Sequence, residues 1–122
     1  MNAIPVRLEL SRRKGFDLQA LSRETNGLSA VNVARPSKWG NPFVIGEPVD
    51  RAQVRRWGWK FKHPEFVCAD AAEAVRRFRA CLLHDEAVHE DVRNRLRGKN
   101  LACWCAPGAP CHADVLLELA NA

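Results

Sequence analysis

The chain has 122 residues, of which 47% are apolar and 27% are charged, and these proportions are typical of a folded protein rather than a disordered one. At this length we expect one domain that spans residues 1–122. No apolar run approaches the roughly 18 residues of a membrane-spanning helix, and the first residues lack the long apolar core of a signal peptide. We therefore expect no membrane association and a cytoplasmic location.

The charge of the chain predicts an anionic partner. Nineteen Lys and Arg residues against fourteen Asp and Glu residues give a net charge of +5, and most of the basic residues are Arg, whose planar guanidinium group suits phosphate. The partner would be a nucleotide, another phosphorylated small molecule or a nucleic acid. A basic surface without such a partner is the alternative.

The first half of the chain contains two predicted strands. Apolar residues alternate with charged ones over residues 6–10, which is the period of a half-buried strand. A basic turn follows, formed by Ser11, Arg12, Arg13, Lys14 and Gly15. Residues 17–29 are weakly patterned and predict a connecting loop or a short helical turn. A second strand is expected at residues 30–34, before the loop R-P-S-K-W-G-N-P-F, whose prolines and glycine prevent regular structure.

The second half is mostly helical in its pattern. Asp50 predicts the start of a short helix that Gly58 ends, and Asp70 predicts the start of an amphipathic helix with apolar residues at three-and-four spacing. A further helical pattern stops at Gly98. The run L-A-C-W-C at 101–105 is typical of a strand buried on both faces, and a last helix follows the turn A-P-G-A-P. This order of elements predicts an α/β fold, mostly a parallel sheet flanked by helices.

Three of the five cysteines and one histidine lie within the stretch C-W-C-A-P-G-A-P-C-H, residues 103–112. On a strand Cys103 and Cys105 point to the same face, and Cys111 and His112 follow at the start of the last helix. Open α/β sheets bind ligands at this position, because the helix N-terminus offers unpaired N–H groups at the carboxyl end of a strand. The position predicts a functional site.

Three explanations of the cluster stay open from the residues alone. Cys103, Cys105, Cys111 and His112 have the right type and number for tetrahedral zinc, although the spacing C-x-C-x5-C-H departs from the usual cysteine pairs. One of the thiols is instead a nucleophile, activated by the helix N-terminus and nearby cations. Burial in the core, without further function, is the third explanation.

The turn from Cys105 to Cys111 resembles the loops of cysteine phosphatases and rhodaneses, which also join a strand to a helix. Those loops end in an arginine where this chain has Cys111 and His112. A cation for an anionic substrate would therefore come from Arg12, Arg13 or Arg35.

Three separated motifs resemble one family. L-S-R-R-K-G, R-P-S-K-W-G-N-P-F and G-K-N-L-A-C-W-C with P-C-H-A-D-V-L are similar, in this order, to a family of small bacterial and phage proteins known only as a conserved domain of unknown function. The resemblance implies that the motifs converge on one site and that the protein belongs to a phage or prophage setting; it brings no activity. A looser similarity links the turn to a second uncharacterised family that ends in C-H-R, where this chain has Ala113.

The motifs together predict a pocket for a nucleotide. Arg12, Arg13, Lys14, Arg35 and Lys38 would form a cationic rim, Trp39 a stacking surface and Asn41 an amide that reads a base or sugar edge. Cys105, Cys111 and His112 would carry the chemistry of an enzyme, with His112 as a base. The alternatives are a non-enzymatic module that binds nucleic acid, with structural or zinc-bound cysteines, and a phage-encoded adaptor protein.

Overall fold

The computed structural model describes residues 3–63 and 65–122. In this part of the chain three strands and five helices follow one another. They are β1 (Arg7–Glu9), α1 (Leu18–Asn26), β2 (Ala30–Asn32), α2 (Arg51–Trp57), α3 (Ala71–Leu83), α4 (Glu86–Leu96), β3 (Asn100–Cys103) and α5 (His112–Asn121).

The three strands form a parallel sheet in the order β1-β3-β2. Leu8 of β1 lies opposite Ala102, and Val31 of β2 lies opposite Leu101. All four residues of β3 are buried, as expected of the central strand of a parallel sheet. The predicted α/β class is confirmed, and the carboxyl ends of all three strands meet at one edge of the sheet.

Helices cover both faces of the sheet. Leu101 and Cys103 belong to the larger apolar core, where Phe78 of α3 and Leu116 of α5 are fully buried. Ala102 points the other way, into a smaller core beside the start of α1. Because side chains alternate along a strand, the thiol of Cys103 lies in the same layer as α3 and α5.

Helix α1 occupies residues for which the sequence pattern predicts only a loop or a short turn. Its buried side is polar: Ser22 donates to the carbonyl oxygen of Leu28 at 2.6 Å, and Gln19 exchanges two hydrogen bonds with the backbone of Ala30. The side chain of Asp17 caps the helix by accepting from the backbone N–H of Ala20. Polar side chains therefore dock this helix against β2, and apolar periodicity does not reveal it.

The predicted starts of α2 and α3 are confirmed. The side chain of Asp50 accepts from the N–H of Gln53, and that of Asp70 accepts from the N–H of Glu73. Each bond satisfies one of the N–H groups that a helix start leaves unpaired. Across the described ranges, every helix is too short or too polar to cross a lipid bilayer.

Candidate functional site

The loop after β2 is fixed against α2. The side chain of Gln53 donates to the carbonyl oxygen of Ser37 at 2.7 Å, and the indole N–H of Trp57 donates to that of Gly40 at 2.8 Å. A Cβ atom at residue 40 would lie 2.8 Å from the Cγ atom of Arg35 and 3.0 Å from its Cα atom. Only glycine allows the loop to fold back this closely on Arg35.

Arg35 and Asn41 lie together in this loop, which contains a cis peptide bond between Arg35 and Pro36. One terminal nitrogen of the exposed Arg35 guanidinium donates to the carbonyl oxygen of Asn41 at 2.7 Å. The side chain of Asn41 is buried, donates to the carbonyl oxygen of Ala74 at 3.2 Å and accepts from the N–H of Phe43 at 2.9 Å. The amide of Asn41 thus holds the loop to α3.

Arg7 on the edge strand β1 holds the turn that follows β3. Its guanidinium donates to the carbonyl oxygens of Ala109 at 2.9 Å and Ala106 at 3.2 Å, and it pairs with Asp114 of α5 at 3.1 Å. Burial lowers the pKa of Arg7, but Asp114 and Cys111 raise it above its ordinary value. Arg7 is a site residue that the sequence analysis missed, because its partners lie about a hundred positions away.

The sulfur atoms of Cys103, Cys105 and Cys111 all lie within 4.8 Å of one another. Those of Cys103 and Cys111 are 2.8 Å apart, and all five cysteines of the chain are free thiols. Cys103 and Cys111 are buried, whereas Cys105 is half-buried. These three residues, called the thiol cluster below, can hold a metal ion.

The thiols perturb one another. A hydrogen bond from Cys103 lowers the pKa of Cys111 to about 3 against the effect of burial, and hydrogen bonds from Cys105 and the Ala113 backbone lower it further. Burial and the hydrogen bond to Cys111 raise the pKa of Cys105 to about 11. The hydrogen bond to Cys111, together with burial, also raises the pKa of Cys103. The cluster therefore carries one negative charge, centred on Cys111 at the start of α5, where the helix dipole stabilises an anion.

His112 links the thiol cluster to β2. Its Nε2 atom lies 2.7 Å from the carbonyl oxygen of Val33, and its Nδ1 atom lies 3.9 Å from the sulfur of Cys111. The ring packs edge-on against Phe78. Because a carbonyl oxygen only accepts hydrogen bonds, Nε2 carries the proton of the neutral ring and Nδ1 carries the lone pair.

A cavity of about 340 Å³ lies at the carboxyl edge of the sheet. Arg35 and Asn41 line it on one side, and Cys103, Cys105 and His112 line it on another. The remaining wall is mostly apolar and is formed by Ala34, Phe43, Val44, Ile45, Ala71, Ala74, Val75, Trp104 and Pro110. Two of the three sequence motifs thus meet in one pocket.

Three other predicted ligand residues have partners within the protein. Lys38 pairs with Asp91 at 2.6 Å and lies over the ring of Trp39. Trp39 is buried in the larger core. Arg12 stacks on Trp104, with its guanidinium carbon 4.3 Å from the ring centroid. Arg12 thereby contacts a residue that lines the pocket.

Arg13 and Lys14 do not line the pocket; they line a separate depression near the start of α1. Cys111 lies behind the pocket wall, with 1% of its surface exposed, next to Cys103 and Cys105, which do line it. The structure therefore gathers part of the predicted set around one cavity and leaves Arg13 and Lys14 elsewhere.

Comparison with known proteins places the chain in a family. The profile of a domain of unknown function, DUF4326, matches residues 19–122. The chain belongs to the DUF4326 family. The predicted membership of a family of unknown function is confirmed, whereas the bacterial or phage setting stays a prediction. No curated protein and no solved structure matches this DUF4326 chain.

Proposed function

We propose that this DUF4326 protein is an enzyme that binds a nucleotide or another phosphorylated small molecule in the pocket and acts on it through the thiol cluster and His112. The observation that carries the proposal is the shared cavity, which Arg35 lines together with Cys105 and His112. An exposed guanidinium and a thiol on the walls of one cavity are the elements needed to hold an anion beside a nucleophile.

The residues have different roles in this proposal. Arg35 binds the phosphate, and Arg12 adds positive charge beside Trp104 at the pocket wall. Cys105 contacts the ligand, because it is the half-buried thiol of the cluster and lines the cavity. Cys111 carries the negative charge of the cluster, and the Nδ1 atom of His112 is the basic nitrogen nearest to it. The expected reaction class is nucleophilic substitution, in which Cys105 passes its proton to the Cys111 thiolate and its sulfur bonds to an electrophilic carbon or phosphorus atom of the ligand. The bond from that atom to the leaving group breaks, and the leaving group departs with the bonding electron pair.

Calorimetric titration with AMP and with adenosine tests the pocket. We expect AMP to bind and adenosine to bind at least tenfold more weakly, because the phosphate pairs with Arg35. Arg35→Gln should lose about tenfold in AMP affinity, since a charge-assisted hydrogen bond is worth about 1.5–3 kcal/mol. Arg35→Lys should keep part of the affinity.

Arg23→Gln is the matched control, because Arg23 is an exposed arginine on α1, outside the cavity. AMP should also slow the alkylation of Cys105 by iodoacetamide, read by mass spectrometry, without slowing that of Cys81. If AMP does not bind at millimolar concentration, or if Arg35→Gln and Arg23→Gln bind it equally, the proposed pocket is wrong.

Zinc binding by the thiol cluster is a second candidate function, favoured by the three convergent sulfurs. Tetrahedral zinc holds its sulfurs ~3.8 Å apart, so Cys103 and Cys111, now at 2.8 Å, would have to separate. His112 could supply the fourth ligand through its Nδ1 atom. Zinc-bound histidines commonly donate their other N–H to a carbonyl oxygen, and the Nε2 atom of His112 faces the carbonyl oxygen of Val33. With three sulfurs and His112 bound, a zinc ion would have no open position, which is typical of a structural zinc site.

Elemental analysis of the purified protein, with thiol counting before and after denaturation, decides between the two candidates. Stoichiometric zinc that is lost in Cys105→Ser and kept in Cys68→Ser supports the metal site. Absence of metal, together with one rapidly alkylated cysteine near neutral pH, supports the nucleophile. Zinc retained by both Cys103→Ser and Cys105→Ser would contradict a site in this cluster.

A further inference from the structure

A second cleft lies beside the pocket, on the segment that joins α2 to α3. It has a volume of about 420 Å³, and Phe43 forms part of its wall as well as part of the pocket wall. The cleft is lined by three phenylalanines, Phe43, Phe61 and Phe66, and by three cations, Lys60, Lys62 and Arg77. The apolar floor is completed by Val49, Ala80 and Cys81.

The aromatic residues of this cleft are arranged as a layer. Phe61 stacks on Phe43 with ring centroids 5.5 Å apart, and Trp59 stacks on Phe61 with ring centroids 6.4 Å apart. The guanidinium carbon of Arg77 lies 3.6 Å from the ring centroid of Phe66. Both Phe61 and Phe66 remain half-buried, so each ring reaches the surface of the cleft.

The charges of the cleft are one-sided. Lys60 and Lys62 are exposed on either side of Phe61, and no Asp or Glu lines the cleft in the described ranges. Two carboxylates lie outside the lining: that of Glu73 approaches Arg77 from α3 at 3.8 Å, and that of Glu65 lies 3.3 Å from the ring of His63, which lines the cleft. The cleft therefore offers aromatic surface with lysine ammonium groups at its rim.

We propose that this cleft binds single-stranded nucleic acid, with a base against Phe66 and the phosphates on Lys60 and Lys62. Aromatic side chains interleaved with cations are the arrangement that binds unpaired strands, because bases stack on the rings while the backbone follows the charges. Duplex DNA presents phosphates without free base faces, so the half-buried rings favour a single strand over a duplex. This inference concerns binding alone and does not depend on the chemistry proposed for the pocket.

Fluorescence anisotropy of a labelled fifteen-nucleotide oligo-dT, titrated with the full-length protein, tests the cleft. Lys60→Gln/Lys62→Gln should weaken binding at least fivefold and lower the slope of log K against log salt by about 1.4, since each phosphate contact on a single strand contributes about 0.7. Phe66→Ala should weaken binding about tenfold, as expected for the loss of one stacked base. Phe66→Leu keeps the apolar volume and should show the same loss, which separates stacking from packing.

Arg93→Gln/Arg97→Gln is the matched control, because it removes two exposed cations from a different depression near the end of α4. The control should bind oligo-dT within twofold of the unchanged protein. Equal weakening by the two double variants would show that net charge alone attracts the strand and would overturn the proposal, as would tighter binding to a fifteen-base-pair duplex. AMP titration of Lys60→Gln/Lys62→Gln should give the unchanged affinity, so failure of this site and failure of the pocket are told apart.

Discussion

Cys111 is the residue on which the electrostatics of the site depend. Cys111 takes the N-cap position of α5, and its sulfur receives hydrogen bonds from the thiols of Cys103 and Cys105. The pKa values of these two neighbouring thiols are raised while they stabilise one anion. The sequence shows that a thiol lies at a helix start, but the sharing of one negative charge among three sulfurs depends on their positions in the fold.

Replacement of Cys111 with serine should remove the thiolate. In the unchanged protein we expect the absorbance at 240 nm of one thiolate at pH 7, because the pKa of Cys111 is lowered to about 3. In Cys111→Ser this absorbance should disappear, because burial, which does not depend on Cys111, still raises the pKa values of Cys103 and Cys105.

Cys81→Ser is the control for this measurement. Burial raises the pKa of Cys81, so its removal should leave the thiolate signal of the native protein unchanged. A signal that survives in Cys111→Ser, or that is lost in Cys81→Ser, would assign the anion to another residue.

The elements follow local sequence rules to different extents. Four aspartates, Asp17, Asp50, Asp70 and Asp85, each cap a helix by accepting from a backbone N–H three residues on. Such bonds join residues that are close in the sequence, so the helix starts at Asp50 and Asp70 were predicted from the sequence. Helix α1 was not predicted, because its buried side is polar: Ser22 donates to the backbone of Leu28 in the following loop, and Gln19 donates to that of Ala30 in β2. The loop after β2 likewise depends on α2 for its shape.

Replacement of Gly40 with alanine should destabilise this loop. The new Cβ atom would lie 3.0 Å from the Cα atom of Arg35 and 3.0 Å from Cδ of Gln53, and backbone cannot move aside as a flexible side chain can. We expect a loss of about 1–3 kcal/mol in the free energy of unfolding, measured by urea denaturation. AMP affinity should fall as well, since the contact displaces Arg35.

Gly15→Ala separates this contact from backbone strain. Gly15 has φ +83° and open space around its Cβ position, so alanine there costs about 1 kcal/mol through the left-handed conformation alone and should leave AMP affinity unchanged. If Gly40→Ala leaves both stability and AMP affinity intact, the close approach to Arg35 does not shape the pocket.

At the scale of the whole molecule, the thiol cluster couples folding to pH. Between about pH 3 and pH 9 the unfolded chain keeps a proton on Cys111 that the folded protein has released. Stability contributed by this group therefore rises with pH over that range. Above pH 9 stability falls as the pH rises, because the thiols of the unfolded chain ionise. In the folded protein Cys105 keeps its proton up to about pH 11, and the raised pKa of Cys103 keeps that thiol protonated as well.

Urea denaturation under reducing conditions at several pH values checks this coupling. The difference in unfolding free energy between the unchanged protein and Cys111→Ser should grow in favour of the unchanged protein from pH 4.5 to pH 8. The carboxylates and histidines are common to both chains, so their contribution to the pH dependence of the unfolding free energy cancels in this difference. A difference that is flat over this range would contradict a thiolate in the folded protein.

The sequence by itself determined the α/β class, several helix starts and the position of residues 103–112 between a buried strand and a helix start, because each of these depends on spacing over a few neighbouring positions. Only the tertiary structure decided which distant residues meet. The pairing of β3 between β1 and β2 brings Arg7 to the turn after Cys105 and Val33 to His112, and the same edge joins Arg35 to the thiol cluster. The order of the strands is set by the burial of both faces of the sheet and by long-range hydrogen bonds, so a local pattern of residues does not predict it.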